Sequence, residues 1–451
     1  MREWAPKLQM GVVAIAAILA LPAAARADCG VSESGIPDDV IVPIDVAGVR
    51  KSLGSNGIGI GATYYGEVLG NPSGGIKQGT HYDGLLDVYV GIDFQRMAGW
   101  QGLCFHANGY QIHGTSISAQ DLGSIASVSN IEAFPSTRLD ELWFEQKLLN
   151  DMVSVRVGEL TIDSEFLIAD SAGAFIASTF GWTTLSSDNL PFGGPIYPFA
   201  SPGVRVSVAP NDHFKLMAGV YDDNPIGSCA EDLDPGQCNT DGLEFRLDDP
   251  PLLLVEADYS YNKDGRMPGT IKLGGWNDFG KFADQRFDVN GHLKGITGAD
   301  PLLHDGTYAL YGVIDQMIYR LPGDGDANGV SVFARVVGSP SDRNQINVYA
   351  DGGIVFTGMI PRRPNDVFGI GVAYTGISDD ASAFDRDSGL AVARDCEALL
   401  EISYTAEVRP GWTLQPDFQY IWHPGGNVPN DAGTGAVENA AVLGARTTIN
   451  F

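Results

Sequence analysis

The residues best equipped for chemistry sit singly inside alternating segments. In LWFEQKLL (142–149), Glu145 and Lys147 share one face, and Phe144 and Leu148 take the other. In VSVRVG (153–158), Val153, Val155 and Val157 oppose Ser154 and Arg156, and GVRVSV (203–208) isolates Arg205 in the same way. The same rule places Lys215, Glu256, Asp258, Arg335 and Asp417 on the polar face of their segments. Charged groups of this kind make strong hydrogen bonds, so a surface lined with them would exchange bonds with a polar solute. The plainer outcome for any one of them is solvation or pairing with a neighbour.

Other chemistry finds little support. His106 and His113 are an odd number of residues apart in one extended segment, so they leave opposite faces and cannot share a metal. The HExxH and CxxC patterns are absent, as is the G-x-S-x-G elbow of a hydrolase. DGDANG (324–329) opens like a calcium loop, but its twelfth position is Arg335 where a bidentate glutamate is needed, and turn chemistry explains it better. No metal or cofactor is expected. An outer-membrane lipid hydrolase is a minor alternative.

The elements that must position these residues are strands. Period-two alternation recurs after residue 30, whereas helical periodicity is weak. Strands are expected at 57–68, 82–95, 102–114, 139–148, 151–160, 202–210, 213–222, 251–261, 271–281, 306–319, 330–338, 344–358, 367–376, 397–409, 411–422 and 439–451. One apolar and one polar face fits a soluble sandwich or a membrane barrel with a wet lumen. The links choose between them. Short turns alternate with long segments (115–138, 161–201, 223–250, 282–305, 377–396 and 423–438), as in outer-membrane barrels, although the link at 339–343 is short where a long one is expected. The expected fold is an all-β, sixteen-stranded antiparallel transmembrane barrel. Arginine or lysine on its lipid face would cost about 2–4 kcal/mol at mid-depth, which assigns the charges above to the lumen. Tyr64, Tyr89, Tyr259, Tyr261, Tyr420 and Trp422, near strand ends, are candidates for interfacial girdles.

Composition supplies an address. Arg2 and Lys7 precede an apolar run, and Ala25-Arg26-Ala27 fits a cleavage site, so residues 1–27 read as a secretory signal and 28–451 as one barrel domain. The signal holds three of the 28 basic and one of the 56 acidic residues, which leaves 25 and 55, a net charge of −30. That excess argues against a nucleic-acid partner. Of five cysteines, Cys229 and Cys238 bracket a turn-rich segment and form the expected disulfide, while pairing among Cys29, Cys104 and Cys396 is left open.

WFEQKLLNDMVSVRVGEL (143–160) and FIASTFGWTTLSSDNLPFGGPIYPFASPGVRV (175–206) resemble the carbohydrate-selective, OprB-type porins. YYGEVLGNPSGGIKQGTHYDGLL (64–86), YQIHG (110–114), IPRRPNDVFGIGVAYTGIS (360–378) and LQPDFQYIWHPGG (414–426) extend the likeness over the mature chain. The resemblance implies a sixteen-stranded channel in the Gram-negative outer membrane, through which sugars such as monosaccharides diffuse passively into the periplasm. It implies no enzyme. A general porin is the nearest alternative, and a secreted carbohydrate-binding β-protein the next. The terminal alternation of Leu443, Ala445, Thr447, Ile449 and Phe451 resembles the barrel-assembly signal, with Phe451 its last residue. Expected partners are sugars, outer-membrane lipid and the assembly machinery, with homo-oligomerisation left open.

Segment 161–201 is too long for an ordinary connection. It carries Phe180, Trp182, Phe192 and Tyr197 among its aromatics. It is expected to fold into the lumen and narrow it, the alternatives being a lid over the mouth or a further strand at 172–182.

Overall fold

The structure, a computed structural model, describes residues 29–32, 40, 48–229, 233–263, 267–322, 328–430, 433 and 435–451. The expected signal, residues 1–27, and most of the DGDANG turn lie outside them. Among the described residues sixteen strands form: β1 (Ile58–Gly75), β2 (Gly79–Asp93), β3 (Leu103–Gly114), β4 (Ser136–Leu148), β5 (Val153–Leu160), β6 (Ser201–Val208), β7 (Phe214–Asp222), β8 (Pro251–Tyr261), β9 (Gly269–Asp288), β10 (Pro301–Arg320), β11 (Gly329–Gly338), β12 (Ile346–Thr357), β13 (Val367–Ile377), β14 (Cys396–Arg409), β15 (Trp412–Trp422) and β16 (Glu438–Asn450). Each pairs with its sequence neighbours, and β16 returns to β1, so the sheet is closed. Closure leaves no edge strand with unpaired backbone groups, which hydrocarbon would not tolerate. The seam runs from Thr63↔Asn450 to Gly75↔Glu438, and Phe451 adds one more bond by donating its N–H to Ala62 at 2.8 Å.

The outer face follows the alternation. Val157, Val204, Val220, Val255, Leu273, Leu310, Val336, Val372 and Leu443 are all exposed, each on a different strand, which is the apolar belt that lipid would cover. Phe144 and Leu148 belong to it as expected.

Some details differ from the sequence reading, beginning with β1, which runs on to Gly75 past the expected end at 68. β9 and β10 run to 20 residues each, so their link is shorter than the expected 282–305. Residues 172–182 form no strand: short 3₁₀ turns at Asp170–Ala174 and Ser178–Phe180 occupy that stretch. Tyr89 is not a girdle residue. Its register partner is Asn108, in phase with Tyr110 and Ile112, and its ring stacks with His106 inside the barrel.

Two disulfides form. Cys229 pairs with Cys238 at a Cα separation of 5.7 Å, and Cys29 pairs with Cys104 at 5.5 Å, tying the N-terminal segment to β3. Cys396 remains a thiol.

Candidate functional site: a lumen narrowed by two inward segments

Residues 161–200 fold into the barrel. Ile162, Phe166, Leu167, Ile176 and Leu185 are wholly buried there. Such a segment carries backbone N–H and C=O groups that need partners, and the wall supplies them. Arg335 on β11 donates to the carbonyls of Leu167 (3.1 Å), Thr179 (2.8 Å), Phe180 (2.9 Å) and Gly181 (2.7 Å). Glu256 on β8 accepts from the Leu167 N–H at 2.7 Å. Asp315 on β10 accepts from the Ser171 N–H at 2.7 Å. Glu401 on β14 accepts from Ile176 (2.6 Å) and Ala177 (3.0 Å). Trp276 donates to Ser186 Oγ at 3.0 Å.

The loop's rings seat where the wall is bare. Phe175 and Phe180 pack at 4.5 Å between centroids, and both reach Phe333. They lie over Gly369 and Gly371 of β13, where a Cβ would come within about 3 Å of the rings. Glycine here permits a close approach of ring to sheet.

A second segment, 115–135, joins the first. Glu397 accepts from the N–H groups of Ile125 and Ala126 at 2.8 Å each, and Gln419 donates to the Val128 carbonyl at 2.7 Å. The two segments bond directly through Ser178 N–H to Ser127 O at 3.0 Å and Asn130 N–H to Ile176 O at 2.9 Å. Between them and the wall of β16, β1, β2 and β3 remains a cavity of about 480 Å³, lined on the wall by Tyr65, Asp87, Tyr110 and Arg446 and on the loop by Asp163, Trp182, Asp188 and Tyr197. Crowding by the packed loop and wall partly desolvates Asp163, which is half-buried, and Asp188, which opens to the lumen, and pushes both carboxyls up to about 6.

Two residues past Asp87, toward the rim of short turns, a row of side chains crosses four strands. Tyr89 and His106 stack at 6.1 Å, His106 and Trp143 at 5.0 Å, and the Arg156 guanidinium lies 3.8 Å over the Trp143 ring. Register confirms a shared face, since His106 is opposite Trp143, and Glu145, two residues on, is opposite Arg156. Arg156 is in turn opposite Arg205. Glu165 of the inward loop closes the group, 2.7 Å from Arg205 and 3.6 Å from Arg156, while Glu145 is 3.0 Å from Arg205.

The sequence-predicted residues therefore part ways. Glu145, Arg156 and Arg205 form one charged cluster. Lys147 stands opposite Ser154 in the adjoining pair. Lys215 and Asp258 pair at 3.9 Å. Glu256 and Arg335 are occupied in holding the loop, and Asp417 accepts from Gln419 at 2.9 Å. Trp182 and Tyr197 line the cavity, Phe180 is buried against the wall, and Phe192 is exposed away from the cavity. Glu165, Asp87, Asp188, Arg446, His106 and Trp143 were not among the candidates. His106 and Trp143 were legible through alternation, as Trp143 shares the parity of Glu145. Glu165 and Asp188 were not, because a loop has no period.

A closed sixteen-stranded barrel with an apolar belt and an inward loop narrowing a charged lumen is an outer-membrane diffusion channel. Residues 77–451 match the carbohydrate-selective porin, OprB family, and the chain belongs to it. It is 26% identical to Porin B of Pseudomonas aeruginosa over 90% of each chain, and 20% identical to the putative porin QuiX of Acinetobacter baylyi over 90% of this chain and 92% of the relative. Its fold resembles the high-pH structure of Pseudomonas putida OprB, with a TM-score of 0.79 and 23% identity over 92% of this chain and 98% of the other.

Proposed function

We propose that saccharides are selected along one path through this channel. They enter the cavity between the two inward segments and then pass the Tyr89–His106–Trp143–Arg156 row. The observation that carries this reading is the stacked row beside the Arg156–Glu145–Arg205–Glu165 cluster. Ring faces offer an apolar platform to the C–H face of a pyranose. Charged neighbours exchange hydrogen bonds with its hydroxyls, replacing lost water. Each contact is weak, which suits a channel that must also release its solute.

Passive diffusion follows, with no catalytic role for these groups. Phe451, which ends the strand that closes the barrel, serves in this reading as the recognition residue for outer-membrane assembly. The test is single-channel conductance in planar bilayers with added sugars. Ionic current that falls saturably with a monosaccharide, and less so in Trp143→Ala, supports the reading. Current indifferent to every sugar would leave a general porin.

A further inference from the structure

The link joining β13 to β14 and the link following β15 meet on the outer face of the long-loop rim. Asp395, Cys396 and His423 converge there, with one donor atom from each lying within 4.8 Å of the others. Cys396 Sγ is 3.9 Å from His423 Nδ1, and the same nitrogen is 3.3 Å from Asp395 Oδ1. Cys396 is in register with Gly376 and out of phase with lumen-facing Glu397, so the thiol points away from the pore.

We propose that Asp395, Cys396 and His423 bind a divalent transition-metal ion, zinc foremost. A tetrahedral zinc with bond lengths of about 2.3 Å to sulfur and 2.0–2.2 Å to nitrogen and oxygen holds its ligand atoms about 3.4–3.6 Å apart. The observed 3.3 and 3.9 Å lie close to those edges, so an ion fits with small side-chain adjustments. Thiolate, imidazole and carboxylate together favour zinc over calcium or magnesium, which want oxygen alone. Three protein donors leave a fourth position for water.

The backbone presents the ligands. His423 adopts φ 52°, ψ 59°, in the left-handed region. Its N–H donates to Asn439 Oδ1 at 2.9 Å, and its carbonyl accepts from Gly426 and Asn427 at 3.0 Å each. Cys396 N–H donates to Asp395 Oδ1 at 2.6 Å, fixing that carboxylate beside the thiol. An ion here would clip the base of the 378–395 link to the base of the 423–437 link. The inference stands on this geometry and not on the sugar path.

The test uses the full protein in detergent with both disulfides intact and one titratable thiol per chain. Cobalt(II) alone should give a thiolate-to-cobalt charge-transfer band saturating at one ion per chain and displaced by zinc. Cys396→Ser should abolish the band. His423→Asn, a residue that tolerates positive φ, should weaken binding at least tenfold while leaving sugar conductance unchanged. A measurement on the unaltered chain stands beside these: zinc should slow maleimide alkylation of Cys396 at least tenfold. The absence of a band, wild-type binding by His423→Asn, or an alkylation rate indifferent to zinc would each overturn the proposal.

Discussion

Arg335 and Asp351 stand directly opposite each other on β11 and β12, 2.5 Å apart, with both side chains fully shielded from solvent. The pair does more than neutralise itself. Asp351 aims the guanidinium, and the remaining donors take four carbonyls of the inward loop. Arg335→Leu would strand a buried carboxylate and release those carbonyls. The expected cost is about 3–5 kcal/mol, read as a lower unfolding temperature, with larger unit conductance as the loop loosens. Adding Asp351→Leu should recover part of the lost stability but not the narrow conductance, because the carbonyls still lack donors.

Gly371 tests the seating of the loop from the other side. A methyl there would come within 2.8 Å of Phe180 and 2.9 Å of Phe175. Gly371→Ala should cost about 1–3 kcal/mol through overpacking. Faster liposome swelling with disaccharides would show that the rings had been pushed off the wall.

Trp143 carries the stacking surface of the proposed sugar path. Trp143→Ala removes the ring between His106 and Arg156. Aromatic stacking contributes about 0.5–1.5 kcal/mol, so the sugar concentration for half-block of current should rise roughly 2- to 12-fold. An unchanged half-block would remove the row from the path.

Asp163 and Asp188 make the lumen's charge depend on pH. Desolvation inside the barrel raises both to about 6, so both are mostly neutral at pH 5 and mostly charged at pH 7.5. Cation-over-anion permeability should rise across that interval, and Asp188→Asn should reduce the rise. Since folding raises these values from about 4, the stability they contribute is full below that pH and is lost as pH climbs through about 6. Reversal potentials in a salt gradient measure the first effect, and thermal melts the second.

Phe451 donates its backbone N–H across the seam to Ala62 at 2.8 Å. Its side chain is not needed for that bond. On the proposed assembly role of the ring, Phe451→Ala should lower the amount of assembled barrel in the outer membrane, while barrel that does assemble keeps this bond and its conductance.

The sixteen strands were legible because each has one face against lipid and one against a polar interior, which imposes alternation residue by residue. What alternation could not reveal was the work each inward charge performs. Arg156 and Arg335 look alike in sequence, yet Arg156 covers a tryptophan ring and Arg335 is spent on loop carbonyls. The difference depends on where residues 161–200 settle, a long-range event. Tyr89 departs from the girdle expectation for a related reason: proximity to a strand end suggests a girdle, but only register says which face a ring leaves. Cys396 and His423 lie 27 residues apart and meet because two links share one rim.

The wall is unequal in height. β5 and β6 have 8 residues and β7 has 9, whereas β9 and β10 have 20 each. At about 3.3 Å per residue and a tilt near 40°, the low side rises about 20 Å and the high side about 50 Å. A hydrocarbon band of about 25 Å is overtopped on one side and exceeds the paired strands by about 5 Å on the other. β9 and β10 therefore carry their far ends past the hydrocarbon, whereas beside β5–β7 the paired strands alone do not span it. There the 243–250 link continues the apolar surface, with Phe245 and Leu247 exposed beside Val157, Val204 and Val220, so the barrel meets lipid as bare sheet on its tall side and as sheet and link together on its low side.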